Sequence, residues 1–182
     1  MANDYKELLI GCGSDDKKKI SIIGHENWSH KVSLDINPDH KPDIVWDLEV
    51  LPLPFNDNEF DEIHAYEVLE HTGTQGDYKF FFAQFSEFWR ILKPGGAFIG
   101  SCPSRNSVWA WGDPSHKRIV QYANFVFLDQ QNYTNGVGKT GMSDFRNIYK
   151  ADFKVISQND DDIWFSFVMQ AIKPSRIESK FK

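Results

Sequence analysis

The sequence predicts an α/β protein on a mostly parallel sheet, and three observations carry that prediction. Short β-rich runs alternate with helical or irregular stretches, one segment has a clear helical apolar period, and the last two β-rich runs are joined by a turn too short for a crossover. The β-rich runs cover residues 7–10, 31–36, 43–46, 61–66, 97–102, 153–157 and 163–172. The first ends at Gly11 and Gly13, and residues 14–30, which follow, lack helical periodicity. The clearest helix is 77–92, where Phe81, Phe85, Phe88 and Leu92 form an apolar stripe widened by Phe82 and Trp89, and Lys93-Pro94-Gly95-Gly96 ends it. Residues 159–162 are too few for a crossover helix, so the last strand is antiparallel to its neighbour. Its two alternating sets, Ile163 to Ala171 and Trp164 to Ile172, are both largely apolar, which predicts a strand covered on both faces.

A chain of 182 residues, 41% apolar and 15% aromatic, suits one domain with a sizeable core and leaves no room for a separate substrate domain. Twenty basic against 26 acidic side chains give a net charge of -6, which argues against sequence-independent binding to nucleic acid and favours a small-molecule partner. No run has the eighteen or so consecutive apolar residues of a membrane helix, and the start has no signal-like pattern, so a cytoplasmic protein is expected. Cys12 and Cys102 are too few for a disulfide framework or a zinc cluster; two reduced thiols and no metal site are expected. The charge runs at 15–19 and 160–162 read as a solvated loop and turn, and 173–182 as a frayed tail. Oligomeric state leaves no mark in the sequence.

Parallel sheets bind ligands beyond the carboxyl ends of their strands. Gly11-Cys12-Gly13-Ser14 follows the first strand and Asp35 ends the second, 22 positions after Gly13. A glycine turn followed at that distance by an acidic residue points to a nucleoside, with the carboxylate on the ribose hydroxyls. A dinucleotide fingerprint needs glycine at position 16, where Asp16 follows Asp15; carboxylates there repel a pyrophosphate. That, and the lack of a Tyr-x-x-x-Lys pair, disfavours a nicotinamide-dependent oxidoreductase. Phe55, Phe60 and Ile63 read as packing, and His64, inside a strand, as a satisfied structural histidine.

From about Leu8 to Pro103 the sequence resembles the class I S-adenosylmethionine-dependent methyltransferases, especially the small methyltransferase-domain type related to quinone-biosynthesis enzymes. The resemblance runs through LLIGCGS, VSLDINP, DIVWDLEVLPLPFNDNEFDEIHAYEVLEH and FWRILKPGGAFIGSCP. It implies a Rossmann-like seven-stranded sheet of order 3-2-1-4-5-7-6 with an antiparallel last strand. Seven residues precede Leu8, so the usual N-terminal helix is expected to be missing or short, and the first crossover helix short or irregular. In that order strands one and five are separated by strand four, which puts Cys12 and Cys102 about 9–10 Å apart and out of disulfide reach.

The same resemblance assigns S-adenosyl-L-methionine as cofactor and S-adenosyl-L-homocysteine as product. It places Gly11, Cys12 and Gly13 at the methionine end, Asp35 on the ribose, Ile36 on adenine, Asp47 and Leu48 at the adenine ring, and Glu67, Val68 and His71 between cofactor and substrate. The expected organisation is a cofactor core at 1–103, a substrate lid at 104–150, a strand hairpin at 151–172 and the tail. The lid reading rests on Trp109 and Trp111, the DPSHKR cluster, and hinge glycines Gly136, Gly138 and Gly141. A small-molecule acceptor that must lose a proton calls for a base, His116 or His71, oriented by Asp113, with Arg118 on an acidic substrate group. The other function class left open is a non-catalytic module that binds the nucleoside or a partner on the same fold.

Overall fold

The computed structural model describes residues 5–177. Seven strands form one sheet: β1 Lys6–Ile10, β2 His30–Asp35, β3 Ile44–Val45, β4 Phe60–Tyr66, β5 Leu92–Pro103, β6 Phe153–Asp160 and β7 Trp164–Ala171. Their order is β3-β2-β1-β4-β5-β7-β6, the order expected. β1 to β5 pair in parallel, and β7 runs antiparallel to both β5 and β6. Between Phe60↔Leu92 and Glu62↔Ala97 the register shifts, so Lys93 to Gly96 bulges out of β5 where helix and strand meet without a loop.

The helix α1, Tyr78–Ile91, starts at Asp77, whose side chain accepts the Phe80 amide at 3.0 Å. Its buried Phe82, Phe85, Phe88 and Ile91 recur every third residue, and they lie on one sheet face with Phe98, Phe153 and Phe167. Three short helices follow: α2 Trp109–Gly112, α3 Tyr122–Phe125 and α4 Gln130–Gly136. Val120, Phe125, Leu128, Tyr133 and Tyr149 are buried in the same core. The expected lid is therefore of two kinds: its later part is core, where a helix layer would otherwise lie. A Cβ at Gly136 would meet the Met142 sulfur at 2.8 Å, so that glycine serves close packing rather than a hinge.

The opposite face holds the departures. Residues 14–29 form no helix and cross the face as an extended loop with one bridge, Ile22 to His25. Leu9, Cys12 and Tyr66 form a second small core there, with Ile20 and Trp28 packed on it. Glu7, Glu62 and His64 share that face and are fully buried. Lys18, expected in a solvated charge run, is buried instead, its ammonium 2.5 Å from Glu7 and 2.8 Å from Glu62. The reason is register: Glu7 and Glu62 are partners across β1 and β4, and two adjacent buried carboxylates require a cation. His64 is satisfied as expected, with Nε2 on Glu62 and Nδ1 on the Tyr66 hydroxyl, both at 2.7 Å. Burial alone would raise the Glu62 pKa, but hydrogen bonds from His64, Lys18 and Tyr5 carry it down to about 2.

β7 corrects another expectation. Phe165, Phe167, Met169 and Ala171 are buried, while Trp164 is exposed and Ser166, Val168 and Gln170 are half-buried, so the strand is inside the sheet but fully covered on one face alone. The tail corrects a third as far as residue 177. Lys173 Nζ donates to Asn58 at 2.7 Å, and Arg176 pairs with Asp152 and Asp129 at 2.7 and 2.6 Å. Residues 178–182, and most of the segment where an N-terminal helix was expected missing or short, lie outside the described residues. No described helix is long and apolar enough to cross a membrane. Both cysteines are free and buried, on β5 and just after β1, with β4 between these strands.

Candidate active site

At the carboxyl edge of the sheet, the chain leaves β1 through Gly11 at φ 59° and Gly13 at φ 55°. A Cβ at Gly11 would sit 2.3 Å from Val68 Cγ2, so the loop after β4 can pack here only against a bare backbone. Over Gly13 a Cβ would meet nothing within 4 Å, which leaves that backbone open to a ligand. Asp35, buried at the end of β2, braces the loop: one carboxylate oxygen accepts the Gly13 amide and the other the Asn37 amide, both at 2.8 Å, with His40 Nδ1 at 3.3 Å. Burial opposes its charge, but those two amides and His40 hold the carboxyl below its usual range.

Gly11, Asp35, Ile36, Asp47, Leu48, Val68 and His71 border one cleft of about 180 Å³, as the sequence reading grouped them. Trp46, Glu49, Thr72 and Lys117 complete its wall, and sequence reasoning did not single them out for it. Asp47 also braces its own turn, accepting the Glu49 amide at 2.9 Å. Lys117 Nζ reaches Glu49 at 2.7 Å, and Glu49 accepts the Gly73 amide at 2.8 Å, so the DPSHKR segment is tied to the loop after β3. Cys12 is different: its side chain packs with Leu9 and Tyr66 on the far face, so any part it plays in the cleft is through its backbone.

A second cavity, about 210 Å³, is bordered by Glu67, Glu70, His71, Pro103, Trp109, Asp113, His116 and Trp164. His71 borders both spaces. Glu67 takes a left-handed φ of 51°, and its carboxylate is held by the Ser101 hydroxyl and by Lys19 at 3.1 Å. His71 and His116 meet edge to face at 4.6 Å between centroids. Of the two candidate rings, Asp113 serves His71 and not His116. Its carboxylate takes the Ser115 amide at 2.8 Å and the Ser115 hydroxyl at 2.5 Å, and that hydroxyl lies 3.1 Å from His71 Nδ1. The chain Asp113–Ser115–His71 follows from the Asp-Pro-Ser turn, which points both groups back toward residue 71. His116 is placed by the Ala110 carbonyl, 3.3 Å from Nδ1. Burial, then the neighbouring His116, lowers the His71 pKa.

Two expected substrate contacts move. Arg118 is buried and does not border this cavity; it donates to the Leu69 carbonyl at 2.9 Å, Thr72 at 2.9 Å and Gln84 at 2.6 Å, tying the loop after β4 to α1. Its guanidinium follows Lys117, whose amide and that of Arg118 both bond the Glu70 carbonyl, and the side chain is thereby turned inward. Trp111 is 57% exposed and absent from the cavity wall, whereas Trp109 is in it. The missed residue of most consequence is Glu70, on the short 3₁₀ turn Leu69–His71. It is buried beside the Cys102 thiol, a weak donor, and neither carboxylate oxygen makes a hydrogen bond of ordinary geometry. Burial pushes its pKa up to about 7. The signal was present in EVLEH, a second carboxylate directly before His71.

Among curated proteins none matches the sequence. The fold is similar to that of a SAM-dependent methyltransferase from Archaeoglobus fulgidus, at 14% identity and TM-score 0.57 over 91% of this chain and 86% of that one. It is also similar to the N-methyltransferase NodS from Bradyrhizobium japonicum, solved with S-adenosyl-l-homocysteine, at 13% identity and TM-score 0.55 over 92% and 78%. A third likeness is to the complex of the Haloferax volcanii Trm112 methyltransferase activator with its putative methyltransferase, at 17% identity and TM-score 0.53 over 93% and 83%. These likenesses establish the sheet and its order. The family model described as a methyltransferase domain matches residues 10–100, from the end of β1 to the middle of β5, and so takes in the glycine turn, Asp35, the loop after β3 and the EVLEH segment. Half of the chain, including every wall of the first cleft except Lys117, is covered by that match, and the chain belongs to the methyltransferase-domain family.

Proposed function

We propose that this protein is an S-adenosylmethionine-dependent methyltransferase acting on a small-molecule acceptor. The observation that carries the reading is the shared wall: a cleft braced by Asp35 and a cavity lined by Trp109 and Trp164 meet at His71. Family membership supports the reaction class, and the NodS fold, solved with S-adenosyl-l-homocysteine, supports the choice of cofactor.

The residues of the cleft fit the cofactor. Asp35 presents the remaining lone pairs of a charged carboxylate to ribose hydroxyls, Ile36 and Leu48 offer apolar surface to adenine, and Asp47 an acceptor for its amine. The open backbone over Gly13 admits the methionine end. When bound, S-adenosylmethionine supplies a methyl group on a good neutral leaving group. Positioning of the acceptor then carries most of the rate, and the chain provides it by confining the acceptor between Trp109, Trp164 and the histidine pair. An acceptor that must lose its proton meets His71 and His116 at that point.

The test is turnover of labelled S-adenosylmethionine against a metabolite panel, with calorimetry of S-adenosylhomocysteine binding alongside. S-adenosylhomocysteine binding and methyl transfer to at least one small molecule are expected, with turnover lost and binding kept in His116→Ala. Tight binding with no turnover on any acceptor would instead favour a non-catalytic nucleoside-binding module, and absence of binding would end the reading.

A further inference from the structure

Among the described residues, two groups of carboxylates and imidazoles come within ligand-sharing distance: Glu7, Glu62 and His64 on the sheet face, and Glu70, His71 and His116 at its carboxyl edge. The first already contains its cation. Lys18 Nζ bonds both carboxylates, and Tyr5, Ser29 and Tyr66 complete the set.

The second is built the other way. Glu70 is 2% exposed, and beyond the weak thiol donor of Cys102 neither of its carboxylate oxygens has a hydrogen-bond partner, an expensive arrangement for a buried acid. The neighbouring cations are committed elsewhere, Lys117 to Glu49 and Arg118 to Leu69, Thr72 and Gln84. The Ala110 carbonyl facing His116 Nδ1 can only accept, so the ring proton is on Nδ1 and the lone pair on Nε2. Ser115 commits its own proton to Asp113, so its oxygen accepts from His71 Nδ1, and His71 too keeps its lone pair on Nε2. Imidazoles whose second nitrogen donates to a carbonyl or to a carboxylate-backed hydroxyl are set up as metal ligands. One ligand atom from each of the three residues lies within 4.8 Å of the others. An ion with bonds of about 2.1 Å would space such donors about 3.4 Å apart, so a movement on the order of 1 Å closes the set.

We infer that Glu70, His71 and His116 bind one divalent first-row transition ion, with zinc the best match to two imidazoles and a carboxylate, and with its remaining positions open to the cavity all three residues border. Asp113, Ser115 and Ala110 hold the imidazoles in the ligating tautomer. The consequence for catalysis rests on the proposed methyltransferase reading: an acceptor oxygen on such an ion gives up its proton at neutral pH, so the ion takes the place of a free imidazole base.

Protein stripped with chelator is titrated with cobalt(II), followed by its visible d–d absorption, and then with zinc in competition. One equivalent and a low-symmetry band are expected in the wild type. The band is lost in His116→Ala and in Glu70→Gln, and affinity falls about 10- to 100-fold in Ser115→Ala. Circular dichroism confirms the fold of each variant; His116 and Ser115 lie on the surface loop, so their substitutions keep the test open if Glu70→Gln does not fold. Failure of the wild type to take up one equivalent overturns the inference, as does equal affinity in folded His116→Ala. S-adenosylhomocysteine binding measured on the same samples separates the two readings: cofactor bound without metal sinks the ion site alone, and metal bound without cofactor sinks the methyltransferase assignment alone.

Discussion

Lys18 Nζ lies 2.8 Å from Glu62 Oε2 in the interior, although the two residues come from an irregular loop and the middle of a central strand. The pair, with Glu7, sits beneath a stretch of chain that carries no helix. The loop is held down by charge more than by an apolar stripe.

Replacing Lys18 by Met therefore strands two buried carboxylates. The expected loss of stability is about 3–5 kcal/mol, the usual cost of removing one partner from a buried ion group. Urea unfolding measures it, and a loss under about 1 kcal/mol would mean that water reaches the carboxylates. Adding Glu62→Gln to Lys18→Met should recover part of the loss.

Acid should unfold this face in two stages. Burial lowers the His64 pKa below its ordinary 6.5, so the contribution of the neutral ring is present above that value and is lost as pH falls through the lower folded one. Glu62 is lowered from 4.5 to about 2, so its contribution is intact above 4.5 and disappears as pH falls from there toward 2. Thermal melts across this range should show stability falling with acid throughout; a flat profile between pH 4.5 and 2 would contradict the Glu62 assignment.

Gly11→Ala combines two penalties, a left-handed φ of 59° and a methyl 2.3 Å from Val68. The backbone part alone is about 1–2 kcal/mol. The double variant with Val68→Ala should regain the steric part and leave the backbone part, so full recovery of the melting temperature would show that the loop relaxes at no cost.

Asp35→Ala removes the acceptor of the Gly13 and Asn37 amides and, on the proposed reading, a contact to the ribose. S-adenosylhomocysteine affinity should fall by about 1.5–3 kcal/mol, roughly 10- to 150-fold, with a smaller loss in stability. Unaltered affinity in calorimetry would remove Asp35 from the site.

The sheet was legible because its signals are local. Ile63 and Ala65 with their neighbours mark a strand wherever they occur, and the Phe82–Ile91 stripe writes its own helix. Asp35 was legible because its distance from Gly13 is fixed by the β-loop-β unit that joins them. Glu7, Lys18 and Glu62 were not, since each reads as an ordinary surface charge until register sets β1 beside β4. Arg118 failed for a related reason: a cation in a polar turn looks solvent-bound, and the two amides that swing it inward bond a carbonyl 48 residues earlier, at Glu70. For Asp113 the sequence left His116 and His71 open, because one intervening hydroxyl decides which ring it serves, and that ring is His71.

The bridge from Lys117 to Glu49 joins two walls of the cleft that holds Asp35, and both side chains are more than a third exposed. A pair so wetted is worth at most about 1 kcal/mol, and added salt weakens it further. It is thus a hasp rather than a lock: a pair this weak does not decide how tightly anything is held in the cleft. Ionic strength should act on the rates of cofactor entry and escape together and leave their ratio nearly unchanged.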